Sequence, residues 1–548
     1  MELAVLPILP CGVNRLTTET SIYEYARHGL DFHAKRTAIW FYGKRIRYDE
    51  LFGMIDNVAE RLYGLGVREG TVVTVFLPNC PQAVMAVYAV AKLGGICSMV
   101  HPLFPVSVLQ EMMLGTGSSF LICSDLLKGD FPPAAVQTVF ASLNAFMGPA
   151  YKLAYTMKNH PGRPEGTIPF EGLTARGAEC SAVFPEPASL GGKCVFFLHS
   201  SGTAGEPKTV MHSHRAVNSW EADADAYYGH PNQAGRSIYC VLPFFHGFGL
   251  VTGMHHAMVN KMEQIIVPRF SAAETVRLLH RKKVSVIIGT PALYEKLMTE
   301  KRFTGAYLPH LNECTVGGDR AGEALFEAFN RRLDPGGKNR FLFEGYGMTE
   351  VLSAVSYNNA HVAYRQGTAG KLLPGILARV RRGDKISETG EGEILLSGNT
   401  MMLGYLDAEQ PFLSFEGRDW LPTGDYGRLD AEGFISCQDR VKDIIIHNGY
   451  NVIPGRVELV LAESPAVKEV CVTGEEKERS STQQIVAWLA AESGADREAL
   501  REDLTELCRA ELAPYEWPGQ FRLLEKLPRT LMGKIDRKAL RECKWEAL

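Results

Sequence analysis

From about Tyr48 the chain alternates between helical and strand periods, and this alternation restricts its fold more than any other feature. Leu51, Ile55, Val58 and Leu62 recur at helical spacing, with Gly64 and Gly66 as stop signals. Residues 72–77 form a short β-branched run, 81–93 read as a helix, and 96–100 are again strand-like. The runs 238–242, 264–267, 285–288 and 341–343 repeat the pattern, with helical segments between most of them. Strands separated by helices predict an α/β fold of parallel-rich sheets flanked by helices, whose ligands bind beyond the strand C-termini.

After Glu350 the texture changes. Short alternating runs at 392–397 and 433–437, set among glycines and charges, predict an antiparallel β region. The last hundred or so residues hold two helical patterns (454–463, 496–509) and two strand patterns (467–473, 484–490), enough for a small α+β domain. A chain of 548 residues also exceeds what one core supports. The expected division is a large domain over 1–440 and a small one over 441–548. Prolines and glycines in 127–179 suggest a surface excursion, and no internal repeat is visible.

Composition narrows the class. With 46% hydrophobic and 22% charged residues the chain is ordinary globular protein. Its net charge of -4 and lack of a basic run of five or more argue against a nucleic-acid groove or a polybasic membrane surface. Twelve scattered cysteines with no C-x-x-C pair read as small buried thiols, as in a reducing, cytoplasmic setting. Residues 1–10 carry Glu2 and two prolines without a basic start, unlike a signal peptide. The apolar stretch 83–100 is broken by Lys92 and Gly94-Gly95 and falls short of a membrane span. Oligomeric state is not legible.

The chemistry begins where the apolar run 195–198 ends. Ser200-Ser201-Gly202-Thr203-Ala204-Gly205-Glu206-Pro207-Lys208 is a hydroxyl- and glycine-rich loop with one lysine. Glycines let the backbone aim N–H groups at an anion, hydroxyls add donors, and Lys208 adds charge, which suits a polyphosphate. Pro207 argues against a Walker loop, since it stands where the second glycine belongs and has no N–H. Downstream, in order, come Gly317-Gly318-Asp319-Arg320, Tyr346-Gly347-Met348-Thr349-Glu350, Thr423-Gly424-Asp425, Asp439-Arg440-Val441-Lys442 and Gly533-Lys534.

This series resembles the adenylate-forming superfamily of acyl-CoA synthetases, aryl-CoA ligases, luciferases and peptide-synthetase adenylation domains, over roughly residues 20 to 545. A carboxylate is a poor electrophile, so such enzymes attack the α-phosphate of ATP with it and release pyrophosphate. A thiol then takes the acyl group from the acyl-adenylate. The catalysis asked of the protein is positioning plus electrostatics.

The resemblance implies a role for each matching residue. Ser200, Ser201, Gly202, Thr203, Gly205 and Lys208 would clamp the β- and γ-phosphates, with Ala204 and Thr209 departing from the commonest form. Glu350 would ligate Mg²⁺, Thr349 would donate to the α-phosphate, and Tyr346 with Gly347 would lie against the adenine. Gly318 and Asp319 would line the adenine and acyl sites, and Asp425 and Arg440 would hold the ribose. Lys534 would bridge carboxylate and α-phosphate, and Lys442 would be the hinge of a mobile small domain. His246 would stand beside the acyl group, where amino-acid-activating relatives place an aspartate nearby. Ile446 and Arg456 depart from the family pattern.

The implied substrates are ATP with Mg²⁺, a fatty or aromatic carboxylic acid, and CoA. The alternative acceptor is the phosphopantetheine of a carrier protein in a biosynthetic pathway. Gly317, Gly318, Gly345 and Gly347 suggest room for a bulky acyl group. The pairs His212/His214 and His255/His256 have no zinc-ligand spacing and read as structural.

Overall fold

The computed structural model describes residues 17–127, 136–159, 162–175, 189–200, 208–229, 233–319, 321–334, 342–359, 362–448, 450–476, 483–492, 494–529 and 535–548. The chain divides into two compact units. The first comprises Met1–Arg365, Gly370–Leu377 and Ser397–Pro411; the second comprises Gln366–Ala369, Ala378–Leu396 and Phe412–Leu548.

Among the described residues the first unit carries a nine-stranded and an eight-stranded sheet. In the nine-stranded sheet Leu342–Gly347, Glu313–Val316, Val286–Gly289, Ser237–Cys240, Glu263–Ile266 and Thr37–Phe41 run parallel as successive neighbours. The second sheet places Cys194–Ser200, Ile96–Met99, Val72–Phe76, Phe120–Ser124 and Gln137–Ala141 in parallel order. Antiparallel strands Lys208–Ser213 and Gly404–Tyr405 close one edge of it.

Local sequence accounts for these elements. Tyr48–Gly64 is a helix that buries Leu51, Ile55, Val58 and Leu62 on one face, and Gly66, at φ +105°, turns the chain beyond it. Pro81–Lys92 is apolar nearly all round because both faces are covered: every residue from Pro81 to Ala91 is buried. The stretch too short for a membrane is thus an interior helix followed by an interior strand. No helix among the described residues is long and apolar enough to cross a membrane.

Residues 127–179 correct the expectation of a surface excursion. Gln137–Ala141 adds a parallel strand with four buried residues, and Phe170 is fully buried. Proline and glycine flank these short runs and mask them, since a five-residue buried strand has no periodicity to betray it. The helix Pro149–Asn159 within this region buries no side chain.

In the second unit, antiparallel pairing joins Arg418–Leu429 to Ile435–Arg440 and to Leu413–Phe415. A four-stranded sheet follows, with Val467–Glu476, Gln483–Ala491, Gln520–Leu523 and Glu546–Ala547 in order. The helices Pro454–Leu461 and Arg497–Glu511 pack on it through Val457, Leu461, Leu500 and Leu504. Asp496 caps the second helix by accepting from the amides of Glu498 and Ala499.

Candidate active site

In the first unit the sequence motifs gather where parallel strands end. His246 follows Ser237–Cys240, Gly317 to Asp319 follow Glu313–Val316, and Thr349 and Glu350 follow Leu342–Gly347. Because these strands are parallel, all three loops leave the same edge of the sheet. Tyr346 and Gly347 lie within the last strand itself, opposite Ser356 and Ala354.

The second sheet brings a hairpin to this region. Ser200 and Lys208 face each other as a register pair, and the Ser200 hydroxyl donates to the Lys208 carbonyl at 3.4 Å. Ser201, Gly202, Thr203 and Gly205 lie outside the described residues, as does Lys534. Further along the hairpin, buried His212 donates from Nε2 to the Thr349 carbonyl at 2.7 Å. Burial holds this imidazole down at about 4, so it is neutral at pH 7 and ties the Thr349 turn to the hairpin.

Glu350 is anchored on both its main chain and its side chain. Its carbonyl accepts from the Met402 amide at 2.8 Å, and Oε1 accepts from the Tyr405 hydroxyl at 3.0 Å. The Lys208 ammonium sits 4.4 Å from the centroid of the same tyrosine ring. Tyr405 is the participant that motif reading missed. Gly404-Tyr405 closes the sheet edge beside the hairpin, far along the chain from Glu350, and only that pairing brings it in.

The backbone after Glu350 is strained. Leu352 is fully buried with φ 74° and ψ -51°, and the Ser353 amide donates to the Val351 carbonyl across it at 2.9 Å, a γ-turn of the rare positive-φ kind. Two glycines grip this turn. A Cβ on Gly247 would lie 1.8 Å from the Leu352 carbonyl oxygen, and one on Gly347 would lie 1.9 Å from that of Ser353.

That finding corrects the reading of the glycines as room for an acyl group. A Cβ on Gly345 would meet the Tyr357 ring at 3.0 Å, and one on Gly317 the Gly345 carbonyl at 3.1 Å, so the space is already filled by protein. Gly318 alone of the four is open, and its φ of +81° explains the glycine. Gly347→Ala is therefore expected to destabilise the fold by about 1–3 kcal/mol or more. Gly322→Ala, where nothing lies within 4 Å, is expected to be neutral. Comparing the two in chemical denaturation checks this.

His246 is half-buried. Its Nδ1 accepts from the Phe248 amide at 3.4 Å, at the entry to a π-helix Phe248–His255. Such helices concentrate at functional sites. His255 and His256 at its end are structural: the first meets the Tyr88 hydroxyl through Nδ1 at 2.9 Å, the second Glu221 Oε2 at 2.9 Å. The Glu221 partner was not legible from spacing. Among the described residues no group of three or more His, Cys, Asp or Glu is placed to hold a metal.

In the second unit Asp425 and Arg440 are register partners on neighbouring strands, paired Oδ1 to Nε at 3.0 Å. Arg440 also donates from Nη1 to the Thr423 carbonyl at 3.1 Å. The Thr423 hydroxyl donates to the Ile394 carbonyl at 2.8 Å and accepts from the Asp425 amide at 3.0 Å. Gly424, at φ +70°, makes the kink that this arrangement needs. Lys442 stands in the 3₁₀ turn Val441–Asp443 that follows. Arg456 pairs with the buried carboxylate of Glu516 at 3.4 Å, and the Ile446 side chain is exposed.

A family model described as AMP-binding enzyme matches residues 27–406, and one described as AMP-binding enzyme C-terminal domain matches 456–534. Long-chain-fatty-acid–CoA ligase from Bacillus subtilis (strain 168) is 28% identical over 531 residues, covering 92% of this chain and 91% of the relative. Indoleacetate–CoA ligase from Aromatoleum aromaticum is 27% identical, covering 94% and 97%. Among solved structures, o-succinylbenzoate CoA synthetase from Bacillus subtilis in complex with its acyl-adenylate intermediate superposes with a TM-score of 0.77 at 25% identity, over 96% of this chain and 99% of that one. The same synthetase with ATP and magnesium ion gives 0.75 at 25% identity, over 94% and 99%.

Proposed function

Because the chain belongs to the AMP-binding enzyme family, in its adenylate-forming acyl-CoA synthetase branch, we propose that it joins a fatty or aromatic carboxylic acid to CoA through an acyl-adenylate. The observation that carries this reading is the convergence of Glu350, Tyr405 and Lys208 at the Ser200/Lys208 end of the hairpin. A carboxylate held by Tyr405, with an exposed ammonium over the same ring, suits a metal-bound triphosphate: the ammonium would face phosphate oxygens, and the carboxylate would take the metal.

The donor chemistry of this place fits Mg²⁺. Glu350 offers a hard carboxylate oxygen, with Oε1 oriented by Tyr405, and would hold the ion together with oxygens of the bound phosphates. The ion would offset phosphate charge. The chain's own groups do the rest: Ser200, Ser201, Gly202, Thr203, Gly205 and Lys208 hold the triphosphate tail, and the Thr349 hydroxyl donates to the α-phosphate. Tyr346 and Gly347 are assigned the adenine side, Gly318 and Asp319 the lining of the adenine and acyl sites, and His246 the acyl side. Attack by the carboxylate oxygen on the α-phosphorus expels pyrophosphate; attack by the thiol sulfur on the acyl carbon then expels AMP. Lys534 is assigned the cancellation of repulsion in the first step, and Lys442 the hinge of a C-terminal domain beginning at residue 441.

Asp425 is assigned the ribose hydroxyls, with Arg440 fixing its orientation. Asp425→Asn is expected to raise the KM for ATP about tenfold or more while lowering kcat less, the pattern of a lost charged hydrogen bond made in both ground and transition states. An unchanged KM contradicts the assignment. The function itself is tested by scoring a panel of acids for pyrophosphate release, then offering the adenylate formed either CoA or a carrier protein bearing free phosphopantetheine. Transfer to CoA supports the proposal, and transfer to the carrier protein alone contradicts it.

A further inference from the structure

We infer that Tyr405 is a positioning residue that holds Glu350 and Lys208 apart and in place, an inference that rests on the functional reading above. Its hydroxyl donates to Glu350 Oε1 at 3.0 Å while its ring faces the Lys208 ammonium at 4.4 Å from the centroid. One side chain thus engages both charges. Among the described residues no ion pair joins Lys208 to Glu350, although both engage the same tyrosine, one at its ring and the other at its hydroxyl.

The tyrosine is itself held firmly. It is buried at 8% exposure, in register with Val210 on the hairpin strand. Main-chain bonds run from Leu403 to the Met211 carbonyl and from Leu406 to the Thr209 carbonyl, at 2.8 and 2.9 Å. Gln410 clamps its backbone from both sides, accepting from the Tyr405 amide at 2.9 Å and donating to its carbonyl at 3.0 Å. Gly404, at φ +145°, leaves room for that clamp, since a Cβ there would lie 2.1 Å from Gln410 Oε1.

Opposite charges on neighbouring elements collapse into an ion pair unless something separates them, and a collapsed pair would present neither charge to a metal-bound phosphate. A tyrosine prevents collapse with two different attractions: the ring face draws the ammonium, and the hydroxyl draws the carboxylate. By occupying Oε1 it would leave Oε2 as the carboxylate oxygen available to a metal ion. Phenylalanine would keep the first attraction and lose the second, and leucine would lose both.

The test measures binding of a non-cleavable ATP analogue by titration calorimetry at a series of Mg²⁺ concentrations, with ATP–pyrophosphate exchange and thermal denaturation alongside. For Tyr405→Phe the expected result is an approximately tenfold higher Mg²⁺ requirement for analogue binding, with affinity at saturating Mg²⁺ within about twofold of wild type. Tyr405→Leu is expected to weaken analogue binding by about tenfold at every Mg²⁺ concentration as well. A Tyr405→Phe variant with the wild-type Mg²⁺ requirement overturns the inference while leaving the functional reading intact. Equal losses in both variants that follow their melting temperatures overturn it too, in favour of a packing role. A wild-type protein that binds no analogue at any Mg²⁺ concentration overturns the functional reading first, and this inference with it.

Discussion

Lys534→Ala is expected to lower acid-dependent pyrophosphate release by roughly two to three orders of magnitude if Lys534 has the role proposed for it, the cost of removing one charge that would stabilise a developing anion. The carboxylate and the α-phosphate are both negative and must approach to bonding distance. An ammonium shared between them removes a repulsion that is weak in the ground state, where they are apart, and strong in the transition state, where they are not. The loss should therefore fall on kcat, with the KM for ATP changed little. Thioester formation from supplied acyl-adenylate and CoA should be largely retained, because that step no longer joins two anions. Lys544→Ala, an exposed lysine further along the chain, should leave release unchanged. Single-turnover measurement of each half-reaction separates these outcomes.

The second large effect is acid destabilisation. Burial holds His199, His212 and His255 at about 4 and His214 at about 3, below the ordinary imidazole value of 6.5. Both ring nitrogens of His199 are hydrogen-bonded, to Ser98 and Thr209, whereas the others have one committed: His212 donates to the Thr349 carbonyl, His214 Nδ1 accepts from the Ile22 amide at 3.1 Å, and His255 Nδ1 meets the Tyr88 hydroxyl. The second nitrogens of His212, His214 and His255 are buried with no hydrogen-bond partner among the described residues. When folded values lie below unfolded ones, the unfolded chain takes protons first as pH falls. Stability is then complete above about pH 6.5 and declines toward pH 4, by on the order of 3 kcal/mol per histidine.

His256 acts with the opposite sign. Glu221 holds its value up against the effect of burial, so its contribution is present at low pH and fades as pH rises through the folded value. Burial also raises the carboxyls of Asp223, to about 6, and of Asp125, Glu171 and Glu263, which oppose the histidines in the same way, but the four imidazoles are displaced furthest and the expected outcome is a net fall in unfolding free energy between pH 6.5 and 5. His212→Gln, which keeps a donor for Thr349 and cannot titrate, should flatten that slope. Denaturation curves at several pH values read it directly.

What the sequence disclosed follows from the range of the forces involved. Strands such as Val72–Phe76 and helices such as Tyr48–Gly64 were legible because their periodicity is local. The order of motifs along the chain was legible for the same reason. Tyr405 was not, because nothing near it in sequence marks a residue whose partners are Lys208 and Glu350. The glycines misled for a related reason. An absent side chain signals close approach, but whether ligand or protein fills the gap depends on Tyr357 and Ser353, which sit on a returning antiparallel strand and the turn before it. The buried strand Gln137–Ala141 was hidden by its brevity.

ATP–pyrophosphate exchange over a panel of fatty and aromatic acids reads acyl-adenylate formation itself. Exchange is expected to require both an acid and Mg²⁺ and to collapse in Glu350→Gln. Exchange absent with every acid, or undiminished without the Glu350 carboxylate, would contradict the proposed function.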